Sequence, residues 1–187
     1  MRWPERVRMA VATSPLTPHE LSVGELAVYD GLVGVLRRHD WLLGRAALKA
    51  VLDGADTAEV TFPHGQLSLT HAGGVAVAIA ADGQHVGVGV DFEPHRPTDP
   101  RTARFFLHED ERADHDLLRL WTVKEALLKA TPANDGAQLL DYHLDDTAVT
   151  TGSATDRRGH TFRYRSTTFG DGHLTVAVCS GRADVPV

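Results

Sequence analysis

The sequence has little cysteine, little lysine and no long apolar run. Its single cysteine, Cys179, cannot form an internal disulfide, which favours a reducing compartment. Its longest apolar run, Val75 to Ala81, is far too short to span a bilayer. The N-terminal residues contain charge but no apolar stretch of signal-peptide length. We therefore expect a cytoplasmic protein without membrane spans.

The composition excludes several other classes of protein. Hydrophobic residues make up 42% and charged residues 24% of the 187 residues, so the chain is neither disordered nor fibrous. A chain of this length can fold without a disulfide or a structural metal. Its net charge of −6 argues against non-specific binding of nucleic acid. Only Lys49, Lys124 and Lys129 are lysines among 19 basic residues, and chance in an arginine-rich sequence explains this number equally well.

The hydrophobic patterns predict an α+β fold in which helices and strands alternate along the chain. Two helices are expected over residues 22–52, and the second should begin after Asp40 as its N-cap. The other predicted helical segments cover residues 101–106, 109–115 and 116–130, the last of them ended by residues 132–136. The predicted strands cover residues 6–12, 66–70, 75–81, 85–93, 139–144, 147–151, 160–168 and 172–179.

The two halves of the sequence resemble each other. In each half a helical segment is followed by a strand that begins with glycine, over residues 65–69 and 172–176. This repetition predicts two similar lobes with a boundary between residues 82 and 90. We place the N-terminal lobe at residues 1–84 and the C-terminal lobe at residues 85–187, together forming one functional unit.

Two carboxylates stand at the end of the predicted strand 85–93. Asp91 and Glu93 are two residues apart, so they share a face of the strand at about 7 Å. Carboxylates placed in this way repel each other unless a cation lies between them, and a hard cation such as Mg²⁺ prefers oxygen ligands. A strand end whose acids face water is the commoner explanation of an isolated Asp-x-Glu pair.

A lysine interrupts the apolar face of the predicted helix 116–130. The apolar arc consists of Leu117, Leu120, Trp121, Val123, Leu127 and Leu128. Lys124 lies within this arc, so its ammonium group must reach solvent or meet an anion. Glu125, beside Trp121, is suited to act as a half-buried ligand. Residues expected on the opposite face are Arg119, Thr122 and Lys129. A surface pair of Glu125 with Lys129 is the simpler explanation, but it leaves Lys124 unexplained.

Two further motifs are suited to binding phosphate. Thr70 and His71 end a predicted strand before the turn at Gly73-Gly74, where a hydroxyl, an imidazole and backbone amides could form an anion site. His71 could equally cap a hairpin. Arg45 and Lys49 lie one turn apart on a predicted helix face, which could bind phosphate or simply face solvent.

Taken together, the motifs offer acids for a metal and bases for several phosphates, as phosphoryl transfer requires. In this combination the sequence resembles the 4′-phosphopantetheinyl transferases, and in particular the larger single-chain type that modifies polyketide and peptide synthetases. The resemblance rests on two signatures, Gly89-Val90-Asp91-Phe92-Glu93 and Trp121-Thr122-Val123-Lys124-Glu125-Ala126-Leu127-Leu128-Lys129. Residues 41–49, 67–71 and 104–111 resemble further blocks of the family.

The resemblance implies a pseudo-dimer of two α+β lobes with the active site in the cleft between them. It implies a monomeric enzyme that transfers phosphopantetheine from coenzyme A to a serine of an acyl or peptidyl carrier protein, with Mg²⁺, releasing adenosine 3′,5′-bisphosphate. By their place in the motifs, Asp91, Glu93 and Glu125 would hold Mg²⁺, and Lys124 and Lys129 would meet the pyrophosphate. The nucleotide end would be bound by Arg45, Lys49, Thr70 and His71.

Glu125 and Lys129 would then be the catalytic residues. Lys129 would stabilise the charge on the departing group, and Glu125 or a water on the metal would accept the serine proton. Neither nucleic acid nor a membrane is expected as a partner. Because carrier proteins are typically acidic, their recognition requires a local basic or apolar patch that the sequence does not locate.

The sequence departs from the family pattern at three places. Residues 130–136 replace a glycine-rich stretch, Ala72 replaces a small hydroxyl residue, and Phe92 is bulkier than the usual aliphatic residue. Two alternatives to a transferase therefore stay open. One is a module that binds coenzyme A or a carrier protein without turnover. The other is a phosphohydrolase that uses Asp91, Glu93 and His95, although Pro94 weakens that interpretation.

Overall fold

A computed structural model describes residues 7–83, 85–112, 116–132 and 136–182. Parts of the predicted segments 6–12, 109–115 and 132–136 lie outside these residues. The α-helices are α1 (Val23–Asp30), α2 (Val35–Val51) and α3 (Leu117–Ala130). The strands are β1 (Val7–Ala12), β2 (Leu67–Ala72), β3 (Val75–Ala81), β4 (Gly87–Pro94), β5 (Tyr142–Leu144), β6 (Thr151–Asp156), β7 (His160–Phe169) and β8 (Gly172–Arg182). Short 3-10 helices cover Pro18–Glu20, Pro100–Phe105, Glu109–Glu111 and Leu139–Asp141.

The strands form two antiparallel sheets, which confirms the α+β class. The first sheet has the strand order β1-β3-β2, and the second has the order β4-β8-β7-β6-β5. Both sheets contain the same unit: a strand, a helix and a hairpin whose second strand pairs with the first strand of the unit. In the first sheet this unit is β1-α2-β2-β3, and in the second it is β4-α3-β7-β8, with β5 and β6 inserted.

This shared topology supports two related lobes. In the sequence, the strands of the first sheet all precede residue 84 and those of the second sheet all follow it. The shared topology matches β2 with β7 and β3 with β8. The repetition noted in the sequence instead paired residues of β2 with residues of β8, so the individual segments were matched wrongly. The lobe boundary itself and the pseudo-dimer stay predictions.

The elements stack in four layers, in the order α2, first sheet, second sheet, α3. Strand β3 turns its alanines, Ala76, Ala78 and Ala80, toward α2, and turns Val77 and Ile79 toward the second sheet. Strand β8 likewise contacts the first sheet through one face and α3 through the other. Burial on both faces explains why β3 coincides with the longest apolar run of the sequence.

The structure corrects several of the predicted boundaries. The strand predicted at 139–144 begins only at Tyr142, because Leu139–Asp141 is a 3-10 helix. The break between α1 and α2 lies at residues 31–34, where Gly34 has a φ of 97°, and Asp40 lies inside α2. Ser22 forms a capping box with Glu25 at the start of α1. The strand predicted at 147–151 begins only at Thr151, because the Asp146 side chain accepts the amide of Ala148 and forms a turn.

Helix α3 is buried on more sides than its sequence pattern predicts. Thr122, expected on a polar face, is buried and its hydroxyl lies 2.8 Å from that of Thr175 on β8. Arg119 is also buried and donates to the carbonyl of Val149 at 2.9 Å. Strand β8 covers Thr122, and the segment between β5 and β6 covers Arg119. Within the described ranges, no helix combines the length and apolar character needed to cross a bilayer.

Candidate active site

The two sheets meet at a seam between β2 and β4. The Ser68 hydroxyl accepts the amide of Val90 at 3.0 Å, and the Thr70 hydroxyl accepts the amide of Phe92 at 3.4 Å. Ser68 and Thr70 lie on the same face of β2. Their hydroxyl oxygens accept the two β4 amides in place of backbone carbonyls. The seam therefore places the end of β2, with Thr70 and His71, beside Asp91 on β4.

A polar cavity of about 350 Å³ lies at the end of this seam. It is lined by Leu69, Thr70, His71, Ala72, Asp91, Phe92, Glu93, Trp121, Glu125 and Lys129. Both signatures and the Thr-His pair thus contribute to one cavity, which we call the seam pocket. Six of the predicted site residues meet there, namely Thr70, His71, Asp91, Glu93, Glu125 and Lys129.

Two glycines on β4 allow α3 to reach the seam pocket. A Cβ atom at Gly89 would lie 1.9 Å from the carbonyl oxygen of Ala126, and one at Gly87 would lie 1.9 Å from that of Ala130. The helix backbone therefore packs directly on the strand. This contact carries Lys129 to the edge of β4. The Gly-x-Gly spacing before the acids was visible in the sequence, but it was not interpreted as a helix-packing signal.

Asp91 is held by Lys129 through one oxygen only. Lys129 Nζ donates to Asp91 Oδ1 at 2.7 Å and to the carbonyl of Val90 at 3.2 Å. Asp91 is 6% exposed, and its Oδ2 is buried without a hydrogen-bond partner in the described part of the chain. A buried carboxylate oxygen of this kind requires a cation or a donor that another molecule brings. Lys129 thus pairs with Asp91 rather than with Glu125.

Glu93 and Glu125 complete the acidic side of the seam pocket. Glu93 Oε1 lies 3.3 Å from Arg96 Nη2. Glu125 forms no ion pair with any residue that the structure describes. Burial raises the pKa of Glu125, and Asp91 and Glu93 raise it further against the opposing effect of Lys129. The three acids therefore interact electrostatically across one cavity.

The donor set suits a hard divalent cation, although the side chains do not form a ready-made cluster. Among residues 7–83, 85–112, 116–132 and 136–182, no three His, Cys, Asp or Glu side chains lie close enough together to hold a metal ion. Asp91 Oδ2, which is buried with no partner in the described ranges, offers such an ion one oxygen ligand. His95 is exposed and is not among the residues lining the seam pocket, which weakens the phosphohydrolase interpretation.

A second cavity, of about 430 Å³, adjoins the seam pocket at Leu69 and His71. Arg37, Trp41 and Arg45 from α2 contribute to it. The Arg45 guanidinium lies over the Trp41 ring at 4.7 Å and donates to the carbonyl of Thr57 at 2.5 Å. We call this second cavity the α2 pocket. His71 lines both cavities and also a third, of about 420 Å³, which includes Phe62, His64 and Lys129.

Lys49 lies outside these cavities, contrary to the expectation that it faces phosphate with Arg45. Its Nζ pairs at 2.8 Å with Glu25, which is fully buried in α1. The partner was missed because it comes from another helix. Burial disfavours the Glu25 carboxylate, but hydrogen bonds from Lys49, Ser22 and Thr57 outweigh this and lower its pKa to about 2.

Lys124 is likewise placed away from the seam pocket, so its assignment to the pyrophosphate is not supported. It is fully buried and donates to both oxygens of Glu111, at 3.0 and 2.7 Å, and to the carbonyl of Tyr142 at 2.5 Å. These contacts use all three of its donors. Burial lowers the pKa of Lys124, and Glu111 opposes that shift. Lys124 needs an anion because it lies on the apolar arc, and that anion is Glu111 of the protein itself.

The fold and the seam pocket define an α+β protein with a charged cleft suited to phosphoryl chemistry. Residues 87–179 match the model of the 4′-phosphopantetheinyl transferase superfamily. The matched segment contains β4, α3 and most of β8, and so includes Asp91, Glu93, Glu125 and Lys129. A comparison with curated proteins gives no match. Over this segment the chain is therefore similar to the superfamily.

Proposed function

We propose that the protein transfers 4′-phosphopantetheine from coenzyme A to a serine of a carrier protein. The observation that carries this proposal is the convergence of both signatures on the seam pocket, where Asp91 keeps a buried oxygen with no partner among the described residues. The family match over residues 87–179 supports the same reaction. Because β2 comes from the first sheet and β4 from the second, one chain supplies both walls, as a pseudo-dimeric monomer requires.

The adjoining cavities suit the separated phosphates of coenzyme A. In this proposal the α2 pocket receives the nucleotide end, with Arg45 and Arg37 as its cations. The pyrophosphate lies in the seam pocket beside Lys129. His71 lines both cavities and contacts the substrate between them, where the 3′-phosphate would lie. Thr70 is already bound to β4 and mainly positions the cleft.

In the reaction, the serine oxygen forms a bond to the phosphorus on the pantetheine side. The bond from that phosphorus to the bridging oxygen breaks, and the electron pair leaves with adenosine 3′,5′-bisphosphate. Lys129 is held at Asp91 and Val90, where it stabilises the charge that grows on the departing group. The serine proton passes to Glu125, the pocket carboxylate without an ion pair in the described chain, or to a water beside it.

Asp91, Glu93 and Glu125 would hold Mg²⁺ in this proposal. When bound, the ion would neutralise charge on the pyrophosphate and favour the departure of adenosine 3′,5′-bisphosphate. Asp91 Oδ2 has no partner within the described part of the chain, and Lys129 neutralises the other oxygen of Asp91.

Mass spectrometry of a carrier protein tests the proposed function. The purified protein, coenzyme A, Mg²⁺ and an apo carrier are expected to give a carrier heavier by one phosphopantetheine group. Asp91→Ala should abolish the product, whereas Asp82→Ala, which changes an exposed acid just after β3, should retain it. Binding of coenzyme A without any mass increase, over fatty-acid, polyketide and peptide carriers, would instead identify a binding module.

A further inference from the structure

Two carboxylates of the seam pocket are each paired with a cation of the chain itself. Lys129, the partner of Asp91, lines the seam pocket. Arg96, the partner of Glu93, instead lines a neighbouring cavity of about 370 Å³ that shares Trp121 with the seam pocket. The Arg96 guanidinium therefore lies between the two cavities and contacts Glu93 from outside the seam pocket.

The backbone fixes the origin of the Arg96 side chain but leaves its end free. After β4, the amide of His95 donates to the carbonyl of Asp171 at 3.2 Å, which anchors the segment to the turn before β8. Pro97 restricts the preceding Arg96 to extended backbone. The side chain itself is 57% exposed, so its pair with Glu93 is of the weak, solvent-screened kind. The guanidinium can therefore move away from Glu93 while the backbone of this segment stays in place.

We propose that Arg96 is a positioning residue that acts as a tethered counter-cation for Glu93 and is displaced when a divalent cation binds in the seam pocket. This inference rests on the proposed function, which assigns Glu93 to that cation. A guanidinium and a divalent cation repel each other and compete for the same carboxylate oxygens. Arg96 therefore limits repulsion among the three acids before the cation arrives, and raises the cation concentration needed for binding.

Titration of Mn²⁺ into the full chain, with free Mn²⁺ followed by electron paramagnetic resonance, tests this role without any turnover. Arg96→Gln removes the competing charge and is expected to bind Mn²⁺ about threefold more tightly than the wild type. Arg157→Gln is the matched control, because Arg157 also lies 3.3 Å from its carboxylate partner, Asp141, and is also 57% exposed. Its Mn²⁺ affinity should equal that of the wild type.

Two further measurements separate competition from a change in packing. In a Glu93→Gln background, Arg96→Gln should leave the affinity almost unchanged, because the shared carboxylate is gone. Raising the ionic strength to about 1 M should shrink the difference between Arg96→Gln and the wild type, because salt screens an exposed charge. A difference that survives both changes would overturn the counter-cation role.

The proposed function and this inference can fail separately. Equal Mn²⁺ affinities of the wild type and Arg96→Gln would overturn the counter-cation role, whatever the transferase assay shows. If no variant binds Mn²⁺ measurably, the inference is overturned together with the assignment of the three acids. Tighter Mn²⁺ binding by Arg96→Gln, together with a wild-type protein that modifies no carrier, would support the counter-cation role and refute the transferase.

Discussion

Lys124 shows how far a single residue can be interpreted from sequence. Its place on an apolar arc predicts that it needs an anion, and the structure supplies one in Glu111. The sequence could not decide between a substrate phosphate and an internal carboxylate. Glu111 lies on a 3-10 helix and meets α3 only through the tertiary fold. The same limit applies to Lys49 and its partner Glu25.

Replacing Lys124 is expected to cost stability. Lys124→Met leaves the buried Glu111 carboxylate without its cation, which should lower the free energy of unfolding by about 3–5 kcal/mol. Adding Glu111→Gln should recover part of this loss, because the unpaired charge is then removed. Urea denaturation measures both variants. Unchanged stability together with a loss of coenzyme A binding would instead show that Lys124 binds the substrate.

The buried Glu25 predicts an acid-sensitive fold. Its folded pKa of about 2 lies below the ordinary value of 4.5, so its stabilising contribution is complete above pH 4.5 and is lost as the pH falls toward 2. The loss should be on the order of 3 kcal/mol. Thermal unfolding between pH 5 and about pH 2 should show a smaller pH dependence in Glu25→Gln than in the wild type. Equal slopes would contradict the ionised pair with Lys49.

At the scale of elements, the contact of α3 with β4 is the critical one for the site. Gly89→Ala would place a methyl group 1.9 Å from backbone that cannot rotate away, so α3 must shift. We expect a stability loss of about 1–3 kcal/mol or more and a large loss of transferase activity, because Glu125 and Lys129 move with the helix. Melting temperature and carrier modification measure the two effects.

Gly65→Ala is the matched control for this substitution. A Cβ atom there would lie 3.7 Å from the carbonyl oxygen of Val86, which is an ordinary contact. Stability and activity should both stay close to those of the wild type. A Gly89→Ala protein that behaves like this control would show that α3 does not depend on the close approach.

The elements that the sequence predicts well are those fixed by local signals. The β2–β3 hairpin was predicted because Gly73 and Gly74 supply the positive φ angles of its turn, 57° and 76°. The start of α2 was misplaced because Asp40 has the chemistry of an N-cap, whereas the helix had already begun after Gly34. Local chemistry thus gives the kind of element more reliably than its boundary.

At the scale of the whole molecule, the site depends on how two sheets meet. Its acids and Lys129 were predicted from motifs, since these residues lie close in sequence to recognisable glycines and to Trp121. The seam was not predicted, because the contact of Ser68 with Val90 joins strands of two different sheets, and no local sequence signal brings these strands together. Its sequence signal was the spacing of two hydroxyl residues, Ser68 and Thr70, on one face of β2.

The seam predicts unequal effects at two buried serines. Ser68→Ala removes the acceptor of the Val90 amide and should lower the free energy of unfolding by about 1–3 kcal/mol. Ser166→Ala changes a serine that is buried to the same degree, 2% against 3% exposed, but whose hydroxyl has no partner among the described residues. It should be neutral or slightly stabilising. Urea denaturation gives both values, and hydrogen exchange at Val90 should be faster only in Ser68→Ala. Equal effects of the two substitutions would mean that general packing, rather than the hydrogen bonds of the Ser68 and Thr70 hydroxyls, joins the two sheets around the cleft.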